Sequence, residues 1–272
     1  MMETVLNVGL VDDVVEGLAL RGGERFAWDC YRRLVQMYGH TVLGVDDAVF
    51  QQALAAARRD SGARDDTELD ASVLRRLTLE FRRLLIEHSG EDLPQNPREQ
   101  LDRAVTAVFN SWNGDRARTY RRHAGIADDL GTAVSVVEMV YGNTGPRSGS
   151  GVCFTRDPAT GAQGLYGDYL ANAQGEDVVN GSRTTAHLSV LETMMPQAYR
   201  QLQPDAEALE QRYRDMCDIE FTIEDGRLWV LQVRVGNAAP RLPSASRRIS
   251  STRAASTSTR PCGASTVRSC SR

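Results

Sequence analysis

Two carboxylates two residues apart, Asp218 and Glu220, are followed across a turn by an amide and a guanidinium at the same spacing, Gln232 and Arg234. Residues two apart on a strand share a face. The stretch CDIEFTIEDGRLWVLQVR (217–234) reads as two strands joined at Asp225-Gly226, a strong hairpin signal between alternating apolar residues. A two-residue turn carried through the ladder would set Glu220 opposite Leu231 and mix polar with apolar on each face. A three-residue loop with a left-handed Gly226 instead pairs Glu220 with Gln232 and Asp218 with Arg234. It also gathers Ile219, Phe221, Ile223, Trp229, Leu231 and Val233 on the opposite face. Only this register segregates the faces, and the need to bury one of them sets the register. Two readings of the polar cluster are open. One is an ordinary solvated sheet face. The other is a magnesium site beside a polyphosphate. Hard divalent cations take oxygen ligands from one or two carboxylates plus substrate phosphates, and an arginine fork suits phosphate oxygens.

The composition narrows the field around that cluster. The 272 residues suffice for one large core or a few smaller ones. A formal charge of -4 gives no basic footprint for nucleic acid. No apolar run approaches a membrane span and no signal-peptide pattern opens the chain, so neither nucleic acid nor membrane is expected as a partner. Cys30, Cys153, Cys217, Cys262 and Cys270 are scattered without C-x-x-C spacing, which points to reduced thiols in the cytoplasm rather than to disulfides or zinc. His40, His88, His123 and His187 show no ligand spacing and read as structural or surface residues.

The elements that must position the cluster follow in order. MMETVLNVGL (1–10) is an apolar, strand-compatible start stopped at Gly9. From Glu24 the period becomes helical, with Phe26, Cys30, Leu34 and Met37 on one stripe, then Val49, Ala53, Leu54 and Ala57 on the next. The clearest helix runs over 70–88, with Val73, Leu77, Phe81, Leu84 and Leu85 inward, and ends at Ser89-Gly90. Asn96-Pro97-Arg98-Glu99 opens another, with cap residue, first-turn proline and reciprocal acid. Residues 115–123 form a short basic helix whose Arg116, Arg118, Arg121 and Arg122 read as a solvated face. TAVSVVEMVY (132–141) is β-branched and nearly continuous in apolar content, which predicts a strand buried on both faces. GNTGPRSGSG (142–151) is a flexible loop, either a plain linker or a set of amides able to cradle phosphate. Strands over 151–156 and 165–170, helices over 189–202 and 206–217, and a disordered tail from about residue 241 complete the chain. A Ser/Arg tail of this kind touching nucleic acid is the other reading of that last segment.

Five stretches in collinear order resemble the pyruvate, phosphate dikinase family: MMETVLNVGL (1–10), TAVSVVEMVYGN (132–143), GVCFTRDP (151–158), NAQGEDVV (172–179), and DIEFTIE (218–224) with LQVR (231–234). The resemblance implies an α+β fold, an ATP-grasp-like nucleotide-binding lobe with an inserted helical subdomain and a disordered C-terminal tail. On that basis residues 1–8 are a remnant of the first lobe and 9–95 the helical insert. Residues 96–141 are the rest of the first lobe with its hinge strand, 142–236 the second lobe, and 237–272 a disordered, frameshifted tail. It further implies that Asp218, Glu220 and Gln232 hold magnesium and phosphate and that Arg234 contacts phosphate. Glu138, Met139 and Val140 would line the adenine, Ser150 and Gly151 would lie in a phosphate loop, and Glu176 and Asp177 would sit near the nucleotide. Arg116 and Asp168 would dock a swinging phosphohistidine domain. The implied ligands are ATP with Mg2+, and the implied partners are the phosphohistidine carrier domain and a pyruvate-binding barrel, in a family that is often homodimeric. No residue of the chain matches the phosphorylated histidine. A non-catalytic nucleotide-binding remnant and a piece of a phosphoenolpyruvate synthase are the alternatives.

The chain departs from the family pattern at both ends. It begins inside a motif that in the family reads Ser-Met-Pro-Gly-Met-Met, which places the first part of the ATP lobe, with its triphosphate-holding lysine and arginine, outside these residues. With suitable synonymous codons, SSTRAASTSTRPCGA (250–264) can be read in a neighbouring frame as LVDEGGIDLDEALRR, which resembles the family segment expected at that point. The tail is therefore expected to be an out-of-frame translation. The coding DNA checks this: codons over 250–264 that cannot give the second peptide would sink it.

Overall fold

The computed structural model describes residues 3–179 and 183–235. The chain divides into two compact units, one ending at Gly145 and the other beginning at Pro146. In the first, a helical core is built from α1 (Asp12–Gly22), α2 (Glu24–Thr41), α3 (Asp47–Ser61) and α4 (Ala71–Ser89). It is followed by α5 (Pro97–Ser111) and α6 (Asp115–Ala124). Local chemistry sets the helix ends. The Asp70 carboxylate accepts from the Val73 N–H at 2.8 Å, and Gly90 stops α4 in the left-handed region at φ 78°. The Asn96 side chain caps α5 by accepting from the Arg98 and Glu99 N–H groups. Glu99 itself pairs with Arg103 at 2.7 Å.

Apolar periodicity decides what those helices bury. Phe26, Cys30 and Leu34 from α2, Phe50 and Leu54 from α3, and Leu74, Leu77, Phe81 and Leu85 from α4 form one core. Phe50 and Phe81 meet edge to face at 5.1 Å. Gly39 of α2 lets these helices close. A methyl there would collide with Leu85 Cδ2 and come within 2.7 Å of Phe50 Cζ. The same core holds a buried ion cluster. Asp29 accepts from Arg32 Nη2 at 2.9 Å and Arg33 Nε at 3.2 Å, and the Asn143 amide adds a third donor at 3.1 Å. Burial pushes the Asp29 carboxyl up, yet the charges of Arg33 and Arg32 and the Arg32 hydrogen bond outweigh it and hold the group well below the usual carboxylate range. Beside it, burial and the Asp29 charge push the Cys30 thiol up to about 12.

In the second unit, one antiparallel sheet runs in the order β3-β2-β1-β4-β5. Its strands are β1 (Gly149–Arg156), β2 (Gln163–Ala171), β3 (Ala186–His187), β4 (Cys217–Glu224) and β5 (Arg227–Val235). Short helices α7 (Gly175–Val179) and α8 (Val190–Met194) precede the long α9 (Pro196–Tyr213). Ile219, Phe221 and Ile223 of β4 are each at most 1 % exposed, and they pack with Cys153, Tyr169, Leu191, Ala198 and Leu202. One face of the sheet is thus committed to α8 and α9. Among the described residues, the thiols of Cys30, Cys153 and Cys217 are buried.

Several expectations need correction. Residues 132–141 form no strand, and Val136 and Val137 are 65 % and 80 % exposed. Among the described residues no strand pairs with this segment, so the hinge strand is not formed as a sheet member. Its end is anchored, since Tyr141 is buried against Phe26 at 5.1 Å and Met139 packs on the helical core. Residues 3–10 are not a strand either. Residues 7–9 turn, with Asn7 at φ 60°, and Gln100 of α5 fixes them by accepting from the Gly9 N–H and donating to the Leu10 and Pro94 carbonyls. Sequence periodicity missed α1, an acidic, weakly apolar helix. Arg121 is not solvated like its neighbours on α6: it is 3 % exposed, stacked 4.0 Å over Trp112 and paired with Asp128 at 2.7 Å. Residues 189–217 break at Met195, ahead of Pro196 at the first position of α9, and Pro204 is carried inside that helix. The tail expectation, for both disorder and frameshift, lies outside the described residues.

Gly39→Ala should destabilise the first unit by about 1–3 kcal/mol through overpacking. Chemical denaturation measures it, and an unchanged midpoint would show that α2 has room to spare.

Candidate functional site

The face of the sheet turned away from α9 collects the polar cluster. On β4, Asp218, Glu220 and Thr222 alternate with the buried Ile219, Phe221 and Ile223. Across to β5, Asp218 pairs with Arg234 and Glu220 with Gln232, the partners that face segregation selects. The route to that pairing differs from the three-residue loop. The turn is the tight two-residue kind, with Glu224 opposite Arg227 and with Asp225 and Gly226 at φ 47° and 83°. A bulge then adds a residue to β5 where the ladder passes from Glu220 to Phe221. The bulge restores the polar register near Glu220 and leaves Trp229 opposite Thr222, on the polar side. It also leaves Leu231 51 % exposed, while Leu228 takes the buried place opposite Ile223. The expectation that Trp229 and Leu231 join the apolar face is therefore corrected.

Arg234 bridges the carboxylates. Its Nη1 donates to Asp218 Oδ2 at 3.3 Å, and its Nη2 donates to Glu220 Oε1. The Asp218 side chain is 13 % exposed and that of Glu220 30 %, so the pair is desolvated but reachable. Burial pushes the Asp218 carboxyl above its ordinary value, and the Arg234 charge opposes that shift. Among the described residues no group of three or more His, Cys, Asp and Glu side chains comes together. A magnesium ion needs no such group, because one or two carboxylates with waters and phosphates satisfy it. Two carboxylates and an amide oxygen on adjacent strands are a hard-oxygen donor set of that kind, and they fit it.

The sheet carries other candidates onto the same face. Asp168 of β2 pairs across β1 Val152 to Glu220, giving one row from His187 through Asp168, Val152 and Glu220 to Gln232. Asp168 is exposed, about two strand spacings or roughly 10 Å from Glu220. Ser150 lies opposite Thr222, and their hydroxyls meet at 2.9 Å. Ser150 and Gly151 thus belong to β1 and not to the loop. The Ser150 hydroxyl also donates to the Ala173 carbonyl, and a Cβ at Gly151 would come within 2.7 Å of the Asp168 carbonyl. Asp177, buried in α7, accepts from the Gln174 N–H at 3.1 Å, so it braces the turn that carries the half-buried Glu176.

The remaining candidates lie in the first unit. Glu138 is exposed and Met139 and Val140 are half-buried in the 132–141 segment, and Arg116 is exposed on α6. Sequence reasoning missed Thr222, although it was readable from the i, i+2 spacing after Glu220. Its contact with Ser150 depends on β1 pairing with β4, which no local pattern encodes.

Comparison with known proteins matches the chain to a family. Residues 1–206 match the family described as pyruvate phosphate dikinase, AMP/ATP-binding domain. The chain is 48% identical over 236 residues to the chloroplastic pyruvate, phosphate dikinase of Flaveria trinervia, covering 87% of this chain and 25% of that protein. It is 48% identical over 236 residues to pyruvate, phosphate dikinase 2 of Oryza sativa subsp. japonica, and 47% identical over the same length to pyruvate, phosphate dikinase 2 of Zea mays; both alignments cover 87% of this chain and 27% of the relative. A stretch that long in a chain of 272 residues cannot avoid the β4–β5 hairpin, which lies beyond the family match. The chain spans about a quarter of the length of these curated relatives. The chain belongs to the pyruvate phosphate dikinase AMP/ATP-binding domain family.

Proposed function

We propose that the chain is the ATP-binding part of a pyruvate, phosphate dikinase. The whole reaction converts ATP, phosphate and pyruvate to AMP, diphosphate and phosphoenolpyruvate by way of a phosphohistidine on a carrier domain. The observation that carries the reading is the sheet face on which Asp218, Glu220, Gln232 and Arg234 stand in register. Phosphoryl transfer asks a protein mainly to position groups and neutralise charge. An antiparallel sheet with helices on one face and polar groups on the other supports an ATP-grasp-type lobe. Magnesium, when bound, would be held by Asp218, Glu220 and the Gln232 oxygen, and would neutralise phosphate charge. Arg234 already spans both carboxylates, and its fork would suit phosphate oxygens.

The other residues take roles around that centre. Glu138, Met139 and Val140 line the adenine. Ser150 and Gly151 sit where the glycine-rich loop enters β1 and border the phosphates, with the Ser150 hydroxyl bonded inside the lobe. Glu176 and Asp177 border the nucleotide, with Asp177 supporting and Glu176 facing it. Arg116 and Asp168, both exposed, dock the carrier domain, while the pyruvate-binding barrel and a second subunit complete the assembly. No described helix is long and apolar enough to cross a membrane. Buried cysteines without C-x-x-C spacing suit a reducing compartment, the cytoplasm in this reading.

Calorimetry with MgATP tests the assignment. Asp218→Ala or Glu220→Ala should weaken MgATP by about tenfold to a hundredfold, since a charge-assisted contact is worth about 1.5–3 kcal/mol, and should leave metal-free AMP nearly unaffected. Undetectable MgATP binding, both by this chain and by a version with the first lobe restored, would discredit the site. A second measurement addresses Arg234. The Asp218 folded-state pKa lies above its ordinary value, so this carboxyl favours folding while protonated, and that contribution fades as pH rises through the folded value. Arg234→Ala removes the opposing charge and should move the Asp218 titration further up in a carboxyl NMR experiment. A titration that stays put would mean the two side chains do not interact in solution.

A further inference from the structure

The end of the glycine-rich segment is stitched to the hairpin turn by groups from both. The Gly226 N–H donates to the Arg147 carbonyl at 2.8 Å, and the Asp225 N–H donates to Ser148 Oγ at 2.9 Å. In return Arg147 Nη2 donates to the Asp225 carbonyl at 3.1 Å, and Arg147 Nε lies 3.4 Å from Asp225 Oδ1. On its other side the Ser148 carbonyl accepts from the Asn172 N–H at 2.8 Å and the Tyr169 hydroxyl at 3.2 Å. Ser148 is 1 % exposed, so it is a built part of the lobe and not a loose linker residue. The turn is fitted to this neighbour. Gly226 at φ 83° adopts a conformation that side chains avoid, and a Cβ there would meet Arg147 Nη2 at 2.8 Å.

The strands that end in this turn are the two that carry Asp218, Glu220, Gln232 and Arg234. A segment with glycines at 142, 145 and 149 has every freedom to wander, yet its last residues before β1 are fixed to the same hairpin as the acidic pair. We infer that the Asp225-Gly226 turn, acting through Ser148, is the positioning element that fixes the glycine-rich segment against the metal-binding strands, so that a nucleotide polyphosphate meets both at one set separation. Ser148 is a positioning residue, and it acts through the loop. The inference rests on the nucleotide reading above and adds to it the device that aligns the site's two halves.

Ser148→Ala tests it in the full chain, with Asp225→Asn as a second variant. Asn-Gly keeps the tight turn, so Asp225→Asn removes only the charge opposite Arg147. For Ser148→Ala, amide exchange at Asp225 should rise, MgATP should weaken by about fivefold, the size expected for one lost hydrogen bond, and AMP should bind as before. Asp225→Asn should weaken MgATP by about twofold, as befits an exposed ion pair. Faster exchange with unchanged MgATP affinity would overturn the positioning role. So would an equal loss for AMP and MgATP, which marks a general structural effect, or exchange that does not rise at all. An unsubstituted chain that binds no MgATP would instead overturn the nucleotide reading, and this inference with it.

Discussion

Strand β4 governs the second unit because its two faces answer to opposite demands. Its odd-numbered residues, Ile219, Phe221 and Ile223, fill the core under α9, while its even-numbered residues hold the acidic pair. A slip of one residue would bury Glu220 and expose Phe221, and burying an unpaired carboxylate is far more costly than exposing a ring. The hairpin satisfies two constraints that a uniform ladder cannot. The Asp225-Gly226 turn demands one register, and the pairing of Glu220 with Gln232 demands the next. The bulge in β5 reconciles them, at the expense of exposing Leu231. Bulges commonly sit where a strand must re-aim a side chain, and this one brings Gln232 and Arg234 to the carboxylates.

Much of this was legible in the sequence, for reasons that differ from element to element. Helices α2 to α5 announced themselves because apolar stripes, caps and terminal glycines agree locally. The pairing of Asp218 with Arg234 and Glu220 with Gln232 was readable because face segregation is a strong constraint. The mechanism was not, because a turn and a bulge can yield the same pairs as a longer loop. Residues 132–141 show the limit of composition. Their β-branched run specifies an extended backbone, but a strand exists only where a second strand receives its hydrogen bonds. The placement of Ser150 inside β1 was equally hidden, since its neighbours in the sequence are loop-like and its partner Thr222 lies far along the chain.

The two units hold charge in contrasting ways. In the first, Asp29 is enclosed with Arg32, Arg33 and Asn143, and the low polarity of its surroundings strengthens those pairings without offering access to a ligand. In the second, Arg234 joins two carboxylates that remain partly exposed, so solvent or a competing cation can reach them. The first arrangement is a structural knot. The second is exchangeable, which is what a site needs.

The stretch 132–141, which lies outside the described sheet, has a practical side. It presents a β-branched run, with Val136 and Val137 exposed, and a single charge, Glu138, among ten residues. Proteins normally guard such runs with several charges, a proline or a covering element, and here Glu138 is the one gatekeeper in the stretch. Colloidal behaviour then hinges on that side chain, whose charge opposes stacking of this stretch between chains in concentrated preparations.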